Sequence, residues 1–221
     1  MNHKCVLVCY NKYGCNNMKV IYFIRHSKPG NCSFIFRNSN IQIKNEMNKL
    51  TKEGKSFAKK LFSDKEFDCI EEIYSSNYLR AYQTAKILAK RLDLKVKILP
   101  EFGERKVGIK SWDEYPKDFE IHQFNDNNYK LENGESLTEV RERELKALNS
   151  ILTQSKVDNI AIVFHSTAMM TLLKTWCNVS YDSDYYFNNK IFFNGKWNYC
   201  ETFKLTFNDN NDLIEIKNIK L

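Results

Sequence analysis

Two short apolar runs constrain this chain more than any other feature. Val20-Ile-Tyr-Phe-Ile24 and Ile160-Ala-Ile-Val-Phe164 hold no polar side chain except one tyrosine hydroxyl. A strand with one wet face alternates polar and apolar residues. An unbroken run of this length therefore predicts a strand buried on both faces, as in a parallel sheet covered by helices above and below. Each run ends in histidine, Arg25-His26 after the first and His165 after the second.

The segments between and around them supply the covering helices. Thr51 is placed to cap a helix with Phe57, Ala58, Leu61 and Phe62 as its apolar positions. Cys69 to Tyr74 reads as a strand. Ser75-Ser-Asn77 then forms a turn and N-cap before a helix with Ala81, Ala85, Leu88 and Leu92 on one face. Lys95 to Leu99 is a third strand, stopped by Pro100. Residues 105–134 read as irregular and rich in aromatics. Ser136-Leu-Thr-Glu139 is a capping box opening a helix with Leu137, Val140, Leu145, Leu148 and Leu152 at helical spacing. A further helix is expected from Ala168 to Trp176. The tail predicts antiparallel strands at Lys190–Phe193, Asn198–Phe207 and Leu213–Ile219, with a tight turn at Asn194-Gly195. Strands alternating with helices imply a layered α/β fold with a largely parallel sheet, to which the tail adds an antiparallel edge.

Composition narrows the class. Seven cysteines, at 5, 9, 15, 32, 69, 177 and 200, form no C-x-x-C pair, and their number is odd. That argues against a disulfide framework or a zinc site and for a reducing, cytoplasmic setting. No apolar run approaches the ~18 residues of a membrane span. The +7 net charge comes from lysines interspersed with glutamates, which reads as a solvated surface rather than a nucleic-acid stripe. It also suits small anionic substrates by raising their local concentration. Residues 1–17 read as an N-terminal extension before Met18, and 18–221 as a single domain.

Ligands in open α/β sheets bind outside the carboxyl ends of the strands. Two strands ending in His, with Arg25 beside the first, would place two imidazoles at that edge. The strand ending in Ser75-Ser-Asn77 adds a helix N-terminus with Arg80 in its first turn. A helix N-terminus with a nearby arginine is an anion site. Together these residues describe a pocket for a phosphate dianion.

These segments resemble the motifs of the histidine phosphatase superfamily, the phosphoglycerate mutase-like proteins. Arg25-His26 after its apolar strand is similar to the family signature, and Ser75-Ser-Asn-Tyr-Leu-Arg80-Ala-Tyr-Gln-Thr84-Ala to its second motif. Phe102-Gly-Glu104-Arg-Lys-Val-Gly108 resembles the segment bearing the acidic proton donor. Gly134-Glu-Ser-Leu137, followed by Arg143, resembles the start of the helix before the last motif, and Ile160 to His165 the strand ending in the second histidine. Order and spacing agree from about residue 18 to 176. The resemblance implies a three-layer α/β/α sandwich. It implies His26 as a nucleophile that becomes phosphorylated and Glu104 as general acid and base. Arg25, Arg80, His165 and Thr167 would bind the phosphoryl group, His165 also being catalytic, with no metal or cofactor. Glu101 competes with Glu104 for the acid role; the family's placement of the acid four residues before a glycine favours Glu104. The family usually has glycine after each histidine, where this chain has Ser27 and Ser166.

The expected activity is hydrolysis of a small phosphate monoester. A cofactor-dependent phosphoglycerate mutase is the first alternative, and a catalytically weak phospho-ligand binding protein the second. A mutase needs a closing cover over its intermediate, and only 105–134 is available to supply one. Specificity is expected in that segment and around Lys28 to Asn40. Arg105 and Lys106 are expected at the surface.

Overall fold

The computed structural model describes residues 18–30 and 40–220. The expectations for 1–17, and most of those for Lys28 to Asn40, lie outside the described residues. The first apolar run forms β1 (Lys19–Arg25). A short α1 (Ile41–Glu46) and α2 (Lys52–Leu61) lead to β2 (Glu72–Ser75), α3 (Leu79–Leu92) and β3 (Val96–Ile98). After α4 (Phe119–Asn125) and α5 (Leu137–Gln154), the second apolar run forms β4 (Asn159–Phe164), followed at once by α6 (Ser166–Leu173). The tail contributes β5 (Asn178–Val179), β6 (Tyr185–Phe187), β7 (Lys190–Phe193), β8 (Thr202–Phe207) and β9 (Leu213–Ile219).

The main sheet has the order β3-β2-β4-β1-β8-β9. The first four strands in that order run parallel, and β8 and β9 add an antiparallel edge. β1 and β4 lie side by side at its centre, paired from Val20 with Asn159 to Arg25 with Phe164. Residues 21–24 and 160–164 are entirely without solvent exposure. Their side chains alternate between two cores, as the pleat requires. Ile21, Phe23, Ile160, Ile162 and Phe164 join Val140, Leu148, Ala168 and Leu172 of α5 and α6. Tyr22, Ile24, Ala161 and Val163 join Ala58, Phe62, Ala81, Ala85 and Leu88 from the α2–α3 side. The result is the three-layer sandwich with helices on both faces.

Local signals decide the helix starts. Thr51 Oγ1 accepts the Gly54 N–H at 2.9 Å, and Ser136 and Glu139 complete the reciprocal capping box. The buried stripe of α2 runs through Gly54 and Ala58 to Phe62, because the helix lies directly on the chain after β1. A Cβ on Gly54 would come within 2.3 Å of the Lys28 carbonyl oxygen. Phe57 falls off that stripe and is 48% exposed, contrary to its expected core position.

Two other expectations are corrected. Residues 105–134 are not wholly irregular: α4 lies within them, and Phe119 is buried against Tyr115 and Tyr129. The Asn194-Gly195 turn does not join β7 to β8. β7 pairs with β6 in a separate three-stranded antiparallel sheet of β5, β6 and β7. The hairpin turn is Asn188-Asn189, with φ of 49° and 61°, the pair of positive angles that a tight turn between twisted strands requires. On α5 the expected apolar positions face the core, Leu145 half-buried against it, and Glu144 is wholly buried beside them. Glu144 shares its helix face with Val140, Ala147 and Leu148.

Among the described residues, neither carboxyl oxygen of Glu144 has a hydrogen-bond partner. Burial holds its pKa well above the ordinary value; Arg143 opposes this, and the charges of Glu104 and Glu135 add to it. Above a pH of about 4.3 the unfolded chain releases this proton while the folded chain keeps it. The residue therefore destabilises the fold increasingly as pH rises toward its folded pKa. Glu144→Leu should raise stability at neutral pH by about 1–3 kcal/mol. The check is a higher urea midpoint with unchanged slope, and a smaller gain at pH 4 than at pH 7.

Candidate active site

The site forms where β1, β4 and β2 end together. The backbone ladder continues one residue past each strand: the His26 N–H donates to the Phe164 carbonyl at 2.9 Å, and the Ser76 N–H to the Val163 carbonyl at 3.1 Å. These bonds put His26, His165 and Ser76 at one edge. The two imidazoles lie 5.1 Å apart between ring centroids, and both residues are buried.

The tautomer of His26 follows from its partners. Nδ1 lies 2.8 Å from the Ser27 carbonyl oxygen, which can only accept, so Nδ1 carries the proton. Nε2 receives the Arg80 Nε–H at 3.0 Å, so Nε2 presents its lone pair. Arg80 is buried in the first turn of α3. Its Nη1 donates to the Asn45 carbonyl and side-chain oxygens at 2.5 and 3.1 Å, and its guanidinium lies 4.8 Å from the Tyr78 ring centre.

Arg25 reaches the Trp197 carbonyl through Nη1 at 3.0 Å and lies over the Tyr199 ring. His165 shares a 2.8 Å hydrogen bond with the Ser76 hydroxyl through Nε2. Arg25 Nε and His165 Nδ1 are buried without a partner among the described residues. Glu104 lies against the first turn of α6. Its Oε1 accepts the Ala168 N–H at 3.0 Å, and its Oε2 the Thr167 N–H at 3.4 Å. The Tyr78 hydroxyl donates to the Glu104 carbonyl.

All six residues singled out in the sequence thus sit around one edge, Thr167 through its backbone. Glu101 is exposed, and only its carbonyl is engaged, by Arg143. Gly108, with φ of 86°, packs against the backbone of Gly134, where a Cβ would come within 2.2 Å of the Gly134 nitrogen. This contact ties the chain after Glu104 to the start of α5. Arg105 is not at the surface. It is buried, with Nη1 and Nη2 on the two carboxylate oxygens of Glu120 and Nη1 also on Gln123.

A family-level sequence pattern, histidine phosphatase superfamily (branch 1), matches residues 21–210. The chain belongs to the histidine phosphatase superfamily. Similar solved structures include a mycobacterial glucosyl-3-phosphoglycerate phosphatase determined with VO3, 16% identical with a TM-score of 0.62, covering 85% of this chain and 92% of that one. A candidate alpha-ribazole-5'-P phosphatase from Escherichia coli is 17% identical with a TM-score of 0.64, covering 91% and 96%. YhfR from Bacillus stearothermophilus is 20% identical with a TM-score of 0.62, covering 89% and 94%. No curated protein sequence matched.

Several residues of this superfamily member's site gave no sequence signal of their role. Asn45 reaches Arg80 from α1, and Gln42, on the same helix, donates to the Tyr78 hydroxyl at 2.7 Å. Thr84 accepts the Ser27 N–H and donates to the Arg80 carbonyl, fixing the turn after His26. Ser27, one of the two departures from glycine, donates its hydroxyl to the Gly54 carbonyl at 2.7 Å and so anchors α2. Away from the site, a groove between α2 and α3 gathers Lys55, Lys59, Lys86, Lys90 and Arg91. Among the described residues, no helix is long and apolar enough to cross a membrane.

Burial lowers the pKa of His26 well below its ordinary value, with Arg80 and Arg25 adding to the effect and the Ser27 carbonyl opposing it. Burial does the same to His165, with Arg80, His26, Arg143 and Arg25 adding. Both rings are therefore neutral at neutral pH. In the unfolded chain they protonate near pH 6.5, so their contribution to stability is full above that value and is lost as pH falls below it. Imidazole NMR of the folded protein should show neither His26 nor His165 charging between pH 8 and pH 6.

Proposed function

We propose that this protein is a phosphatase acting on small phosphate monoesters through a phosphohistidine at His26. The observation that supports this best is the pairing at Nε2: a lone pair fixed by the Ser27 carbonyl on the far side of the ring, with a buried arginine beside it. Glu104 takes up a proton from solvent as the phosphate dianion binds; Nε2 then forms the N–P bond while the ester O–P bond breaks, and Glu104 gives that proton to the departing oxygen. Water then attacks phosphorus and passes a proton to Glu104. The N–P bond breaks, inorganic phosphate leaves, and Nε2 regains its lone pair.

Charge is the main obstacle, since the phosphoryl group is a dianion. Arg25 and Arg80 supply two fixed positive charges in a buried site, where such charges act more strongly than in water. Arg25 Nε and His165 Nδ1, without a partner among the described residues, are suited to meet phosphoryl oxygens, with Thr167 beside them. The arginines fill the role that a divalent cation plays in other phosphoryl-transfer sites, so no metal or cofactor is invoked. The cysteine pattern supports a cytoplasmic setting, and the continuous sheet supports one domain over 18–221.

His26→Ala should reduce hydrolysis of p-nitrophenyl phosphate to background, and acid-labile, base-stable phosphate should no longer label the protein. Arg80→Ala should cost roughly 10²–10³ in rate. Glu104→Gln should impair alkyl phosphates far more than p-nitrophenyl phosphate, because nitrophenolate leaves without protonation; equal losses would rule out its acid role. EDTA should leave turnover unchanged. Conversion of 3-phosphoglycerate to 2-phosphoglycerate in the presence of 2,3-bisphosphoglycerate would establish the mutase instead.

A further inference from the structure

A cavity of about 110 Å³ opens beside the candidate active site. Two of its lining residues tie it to the reacting centre: Thr167 gives its N–H to the Glu104 carboxylate, and Trp197 gives its carbonyl to Arg25. If Glu104 protonates the leaving oxygen, the rest of the leaving group extends from that point into this cavity. The inference below rests on that phosphatase reading.

Among the described residues, the lining contains no Lys, Arg or His, and two carboxylates, Glu120 and Asp182. Glu120 is neutralised by the two-pronged contact from Arg105 and by the Tyr115 hydroxyl. Asp182 has no ion-pair partner among the described residues. Lys174 is not part of the lining: it stands 3.9 Å over the Phe124 ring, and its ammonium donates to the Phe124 carbonyl and to Asn127 Oδ1. Among the described residues, a leaving group bearing a carboxylate or second phosphate would therefore find no cation in the lining to pair with and would face Asp182.

The lining suits an uncharged, hydroxyl-bearing group instead. Phe124 and Tyr181 form an edge-to-face pair with centroids 5.3 Å apart, and with Trp197 they give an aromatic wall for C–H faces. The Gln123 side chain is occupied on both sides, accepting from Arg105 and donating to the Tyr129 and Glu135 carbonyls. The hydroxyls of Ser166 and Ser180 have no hydrogen-bond partner among the described residues and remain available. The contrast between the two serines that replace the usual glycines is informative. The Ser27 hydroxyl is consumed by the fold at Gly54, whereas the Ser166 hydroxyl, at the first position of α6, belongs to the cavity lining.

We infer that Ser166 reads a hydroxyl on the leaving group, and that the substrate is the phosphate ester of a sugar or polyol. The test compares kcat/KM for glucose 6-phosphate and glycerol 3-phosphate with that for 3-phosphoglycerate, phosphoethanolamine and p-nitrophenyl phosphate. The polyol and sugar esters should exceed 3-phosphoglycerate by at least about tenfold. Ser166→Ala and Ser166→Gly should each lower their kcat/KM about five- to tenfold relative to p-nitrophenyl phosphate, chiefly through KM. Asp182→Lys should narrow the gap to 3-phosphoglycerate. Preference for 3-phosphoglycerate or phosphoethanolamine, or an unchanged ratio in both Ser166 variants, would overturn the inference. Failure of the unmodified protein to hydrolyse p-nitrophenyl phosphate would overturn the phosphatase reading itself, and the inference with it.

Discussion

The parallel pairing of β1 with β4 underlies everything else. These two strands are buried on both faces, so their register cannot slip by one residue without exchanging the side chains of two separate cores. Ile21 and Phe23 would have to trade places with Tyr22 and Ile24. That penalty fixes how far each strand projects from the sheet edge, and hence where His26 and His165 stand. Because the His26 amide bonds the carbonyl of Phe164, the two histidines are positioned by a ladder that the hydrophobic effect already enforces.

On this scaffold the electrostatics follow from burial. Two guanidiniums and two imidazoles share one largely buried sheet edge, an arrangement that disfavours four positive charges. The arginines keep theirs because guanidinium does not deprotonate in proteins, and the imidazoles give theirs up. Neutrality of the His26 ring is thus a result of burial, reinforced by the nearby guanidinium charges, with the Ser27 carbonyl choosing which nitrogen keeps the proton. The Glu104 carboxyl group is seated on the Thr167 and Ala168 N–H groups that open α6. Placing the first residue of that helix directly after His165 lets one strand end supply both an imidazole and the anchor for the carboxylate.

Features governed by a few neighbouring residues were legible in the sequence. The Thr51 cap, the Ser136–Glu139 box and the two apolar strands are local patterns with local causes. The sheet class followed from them, and the histidines, arginines and Glu104 followed from strand ends and family motifs. Contacts between distant segments were not legible. Nothing near Asn45 indicates that it receives Arg80. Helical spacing could not reveal that α2 presses on Lys28 at Gly54, which turns Phe57 outward, nor that α5 buries Glu144 beside its apolar positions. In the tail, Asn194-Gly195 carried the stronger turn signal, yet Asn188-Asn189 makes the hairpin because β7 finds its partner in β6.

The hydrogen bond from the His26 amide to Phe164 also bears on motion. Segments that work at active sites are commonly drawn from the least protected parts of a protein, where local opening is cheap. Here the residue at the centre of the site is stitched into the most buried strand pair of the molecule. Its amide is held by the Phe164 carbonyl, so exposing it requires this end of the chain to part from β4. Any adjustment needed for ligand entry or release must therefore fall on the surrounding segments, such as α1, α4 and the chain around Trp197, while the nucleophile candidate itself stays still.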